Sequence, residues 1–183
     1  MKRFIRVLFN PAVLLTDSLE KFNWIWSLVV PGMSYCLFFL QTGMDFKRTG
    51  LGSGAGTIAL GIIGLIFGVS IILVLSLLTW LVSRGVGCEW SAARTIKAFS
   101  FSYGAPIVYM LLGLSASVLF QWKTSLAFGL TGVLWSMGPI YGVIRQMFGG
   151  KTIAAALVAS FEGVLLLSSW AIVGSSYLES LKM

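Results

Sequence analysis

GPIYGVIRQMFGGKTIAAALVASFE, running from Gly138 to Glu162, is the stretch whose parsing decides the fold. An apolar run carries Gly138-Pro139, the chain turns at Gly149-Gly150-Lys151, and a second apolar run places Glu162 among Ala, Val, Phe and Leu. Two apolar runs of this length, joined by a glycine turn, read as an antiparallel pair of membrane spans. A carboxylate inside such a span is expensive, so Glu162 is expected to face the bundle interior or a cavity.

Composition points the same way. Of 183 residues, 57% are hydrophobic and 10% charged, against about 45–50% and about 25% in a soluble domain. A chain so poor in charge cannot cover its surface in water, and its length allows one domain. The net charge of +7 is read as orienting charge that meets anionic headgroups, because no basic run is long enough to bind nucleic acid. There is no histidine, which removes the commonest general base and metal ligand. Cys36 lies in an apolar run and Cys88 in a loop, so no disulfide framework is expected. Asp17, Glu20, Asp45, Glu89 and Glu179 fall in segments read as surface, and no two carboxylates pair across a cleft. No catalytic set, cofactor site or metal site is expected. GLGSGAG (Gly50 to Gly56) lacks the Lys-Ser/Thr of a phosphate loop and reads as a flexible linker.

Taken in order, residues 1–22 read as an amphipathic segment lying in the membrane interface, with Asn10-Pro11 opening its helix. Residues 23–183 form an all-α bundle of five spans, about 23–42, 55–83, 98–120, 125–148 and 153–177. The sequence 43–54 between the first two spans reads as a polar, glycine-rich loop. Small residues mark the helix-packing faces: Gly61, Gly64 and Gly68 on span 2, and Gly138 and Gly142 on span 4. Lys2, Arg3, Arg6, Lys21, Arg84, Arg94, Lys97, Arg145 and Lys151 fall on one side. Lys47, Arg48, Lys123 and Lys182 fall on the other. The positive-inside rule then puts the N-terminus in the cytosol and the C-terminus outside.

On that topology Pro31, Pro106, Pro139 and Glu162 share a depth of roughly 12–14 Å from the cytosolic face, at 1.5 Å per residue. Each proline frees a carbonyl from its helix bond, and freed backbone groups at membrane depth need protein or water around them. The expectation is a polar pocket lined by Pro106, Tyr109, Pro139, Tyr141 and Glu162. The bland alternative is three ordinary kinks. Glu162 is expected either to pair with Arg145 and hold spans 4 and 5 together, or to couple to a proton or ligand.

Three stretches carry a family resemblance: NPAVLLTDSLEKFNWIWSLVVP, SFSYGAPIVYM and GPIYGVIRQMFGGKTIAAALVASF. Together they resemble the Yip domain family of Ypt-interacting membrane proteins. Ser102-Tyr103-Gly104 followed by Pro106 is similar to the tyrosine-glycine-proline element of that family's third span, which adds Tyr103 and Gly104 to the pocket. The Asp-Leu-Tyr-Gly-Pro motif and long N-terminal region of eukaryotic members are missing, which points to a prokaryotic relative. The resemblance implies a five-span bundle with a cytosolic N-terminus and no enzymatic activity. It also implies an accessory role beside other membrane machinery, ABC-type exporters among them.

The leading expectation is thus a small inner-membrane accessory or scaffold protein. It would bind lipids, and other membrane proteins or a second copy of itself, through small-residue faces. The competing expectation is an oligomeric transporter or channel-like protein built around Glu162.

Overall fold

The computed structural model describes residues 22–180, and of residues 170 and 173–180 the backbone alone. The interfacial segment expected at 1–22 therefore lies, but for Phe22, outside the described residues. Every regular element among the described residues is helical. Five spans are long and apolar enough to cross a membrane: Trp24–Arg48, Gly54–Arg84, Ala92–Phe120, Ser125–Met147 and Thr152–Ser169. The chain is an all-α, multi-pass membrane bundle.

Three of the spans are interrupted. Span 1 divides into α1 (Trp24–Ser27) and α2 (Val29–Arg48). Span 2 is the unbroken α3 (Gly54–Arg84), and span 3 divides into α4 (Ala92–Phe101) and α5 (Gly104–Phe120). Span 4 opens with a π-helical segment, Ser125–Leu130, and continues as α6 (Thr131–Trp135) and α7 (Met137–Met147). Span 5 belongs to α8 (Thr152–Ser180). The breaks at Leu28, at Ser102-Tyr103 and at Ser136 each fall three or four residues ahead of Pro31, Pro106 and Pro139. The cause is local: proline offers no N–H, and its ring collides with the carbonyl four residues back. A serine hydroxyl at each break donates to a nearby carbonyl, Ser27 to Trp24 at 2.6 Å, Ser102 to Ala98 at 2.9 Å, and Ser136 to Val133. Such back-bonding favours a bent helix.

Spans 1 and 2 pack most closely, and glycine makes the approach possible. A Cβ added at Gly64 would lie 2.6 Å from the Tyr35 carbonyl oxygen, and one at Gly68 would lie 2.7 Å from that of Pro31. At Gly61 it would meet Leu40, and at Gly43, on the opposite helix, the Thr57 backbone at 2.8 Å. The glycine face of span 2 is therefore filled by span 1. Gly138 and Gly142 differ: no atom lies within 4 Å of a Cβ built at either. Their expected packing role inside the bundle is corrected, because spans 3 and 5 sit on other faces of span 4.

The ends of the helices also depart from expectation. Span 1 continues through Arg48, so 43–48 is helix and not loop. Ser53 accepts from the Gly56 N–H at 3.0 Å and caps span 2, which makes the second half of GLGSGAG a helix start. The helix from Ser91 joins span 3 directly, with Ser91 as its cap. The bundle core is lined by Tyr35, Phe38, Phe99, Tyr103, Met110 and Ile144, each at most 1% exposed.

Candidate intramembrane polar site

Glu162 is 3% exposed, near the middle of the apolar part of α8. Its Oε1 meets the Thr79 hydroxyl of span 2, and its Oε2 has no hydrogen-bond partner. Thr79 is 1% exposed and lies 2.9 Å from the Leu75 carbonyl. The expected Arg145 pair does not form: Arg145 is exposed on α7, while Glu162 is enclosed beside α3. Among the described residues an ion pair joins Arg48 and Asp45 at 3.1 Å.

Beside Glu162 runs a chain of buried hydroxyls. Tyr103, at the break in span 3, is fully buried and bonds Ser136 at the break in span 4. The Tyr35 hydroxyl of span 1 lies 3.4 Å from that of Tyr103. Because Ser136 donates to Val133, one consistent direction of donation runs Tyr35 to Tyr103 to Ser136 to Val133. Ser34 of span 1 donates to the Tyr103 carbonyl at 3.3 Å. Two proline breaks therefore meet at Tyr103.

The expected pocket residues are only partly gathered there. Tyr103, Gly104 and Pro106 are buried at the junction of α4 and α5. Pro139 and Tyr141 are half-buried on α7. Tyr109 points elsewhere: its hydroxyl donates to the Ala127 carbonyl at 3.1 Å, and its ring stands 4.9 Å from Phe128 and 5.5 Å from Trp135. Its proximity to Pro106 in sequence suggested otherwise, but the break ahead of Pro106 directs α5 toward the start of span 4.

A second polar cluster was not anticipated. Asp45, assigned from sequence to a surface loop, is 7% exposed. It accepts from the backbone N–H groups of Thr124 at 3.3 Å and Ser125 at 2.9 Å, capping span 4. Arg48 donates to the Ser117 hydroxyl at 2.8 Å, to the Ser117 carbonyl, to Trp122 O at 3.0 Å and to Gln121 Oε1 at 3.3 Å. One acid–base pair at the end of span 1 thereby satisfies orphan carbonyls ending span 3 and orphan N–H groups beginning span 4. Between the clusters, Gln41 is fully buried and donates to Met110 O at 2.9 Å.

At the opposite end, a cleft of about 420 Å³ opens between the loop 86–90 and the turn 146–151, with half-buried Cys88 on its wall. Arg94 stacks there on Trp90 at 4.3 Å. Among the described residues, no three His, Cys, Asp or Glu side chains cluster as metal ligands would.

Fold and site together define a small polytopic α-helical membrane protein with a buried acid in its core. The chain matches no family model, no curated protein and no solved structure.

Proposed function

We propose that this protein is a non-catalytic accessory or scaffold component of the Yip type in a prokaryotic inner membrane, with the N-terminus cytosolic. It binds a helix of another membrane protein on the outer face of span 4. The observation that carries this reading is the contrast between two G-x-x-x-G pairs. Gly64/Gly68 is filled by span 1, whereas Gly138/Gly142 has nothing within 4 Å. Trp135, 61% exposed, and exposed Arg145 continue the same stripe on span 4. Within lipid, a small-residue stripe lets a second helix backbone approach closely, and dispersion and close contacts then favour association.

Lipid contact supports the other half of the reading. Arg84, Arg94, Arg145 and Lys151 fall on the side assigned to the cytosol, where anionic headgroups attract them at about 1 kcal/mol per residue. The short links, and the use of Asp45, Arg48 and Gln41 as helix ties, fit a scaffold.

The test is mild-detergent purification of chromosomally tagged protein, with mass spectrometry of what co-purifies. A stoichiometric membrane protein, such as an exporter subunit, is expected with the wild type and with Gly142→Ala, and is lost with Gly142→Leu. Recovery of the chain alone, or a partner indifferent to Gly142→Leu, overturns the reading.

A further inference from the structure

We infer that Glu162 is a proton-binding site: the packed bundle carries one exchangeable proton on this carboxyl, and its ligand is the proton itself. The argument is one of donors and acceptors. Thr79 has a single hydroxyl proton and faces two acceptors, the Leu75 carbonyl at 2.9 Å and Glu162 Oε1. A threonine in a helix ordinarily donates to the carbonyl four residues back, and once it does so its oxygen is left to accept. The donor to it is then the Glu162 hydroxyl, so the acid is neutral. The other oxygen, Oε2, is buried with no partner. An ionised carboxylate left so exposed to apolar surroundings is far more costly than a neutral carboxyl.

The neighbours leave the charge without compensation. Span 2 presents Thr79, span 3 presents the neutral phenol of Tyr103 with Tyr35 behind it, and span 4 presents Ser136 bonded to Tyr103. Arg145 on span 4 is exposed, and Lys97, buried on α4, makes no ion pair with the acid. Asp45 supplies the internal contrast: it is similarly buried but holds Arg48 and two backbone N–H groups.

The experiment is infrared spectroscopy of the full chain in lipid nanodiscs at neutral pH, with carbon-13 in the carboxyl group of every glutamate. The chain has four glutamates, Glu20, Glu89, Glu162 and Glu179, and a water-exposed glutamate is ionised at that pH. The expected result is an isotope-shifted C=O stretch of a protonated carboxyl. It disappears in Glu162→Gln, and in Glu162→Asp it returns at the unshifted position, because the aspartate is not labelled. Wild-type protein showing only carboxylate stretches overturns the inference, and so does a protonated band that survives Glu162→Gln. The wild-type spectrum decides even if a variant fails to fold. Neither result bears on partner binding at span 4.

Discussion

Gly64→Ala is the perturbation whose cost the structure fixes most directly. The new methyl carbon would lie 2.6 Å from the Tyr35 carbonyl oxygen and 2.7 Å from Phe39 Cβ. The first of these is backbone and cannot rotate away. Contacts are optimal at about 3.5–4.0 Å, so spans 1 and 2 must part by roughly 0.9 Å, and a gap of that size forfeits about a quarter to a half of each contact's well depth. Overpacking of this kind costs about 1–3 kcal/mol. Gly142→Ala is the matched control: its methyl meets nothing within 4 Å, and alanine is favoured over glycine in a helix by about 1 kcal/mol. Gly138 is a poorer control, since a Cβ ahead of Pro139 disfavours helical backbone. The assay is reversible unfolding in mixed micelles, followed by tryptophan fluorescence and by thiol labelling at half-buried Cys36, beside Tyr35 on span 1. Gly64→Ala is expected to lower stability and speed labelling, while Gly142→Ala leaves both unchanged or more protected. Equal stability of the two variants would refute the packing argument.

Other consequences are open to the same assay. Asp45→Ala removes the carboxylate from half-buried Arg48 and uncaps span 4, and is expected to cost about 1–3 kcal/mol. Asp45→Asn keeps an acceptor for the Thr124 and Ser125 N–H groups and is expected to cost less. Thr79→Val removes the one partner of Glu162 and should lower stability by about 1–3 kcal/mol. Gln41→Met removes one hydrogen bond together with a buried Oε1 that has no partner, and should change stability by less than about 1 kcal/mol, as measured by the same unfolding midpoint.

The span count and the position of each proline break along its own helix were legible in the sequence, because both depend on local pattern. Apolar length sets the spans, and a proline breaks its own helix wherever the neighbours stand. Asp45 and Arg48 were not legible. Their partners lie 69 to 80 residues away in sequence, and MDFKRTG has the polarity of a loop until those partners draw it into the helix. The Glu162–Arg145 pairing failed for a related reason. Depth along neighbouring helices was estimated, but rotation about them was not, and rotation is what turns Arg145 outward and Glu162 toward Thr79. The two glycine pairs make the same point: identical spacing gives one filled groove and one open stripe, and the difference lies in which helix arrives.

The most direct test of the partner-surface reading is photocrosslinking in living cells, with benzoylphenylalanine replacing Trp135 on the open stripe of span 4. The same substitution at Ile58 of span 2, 64% exposed, serves as a lipid-facing control. The account predicts a discrete protein adduct from position 135 that is abolished by Gly142→Leu, with none from position 58. Equal, diffuse or lipid-only adducts at both positions would contradict it.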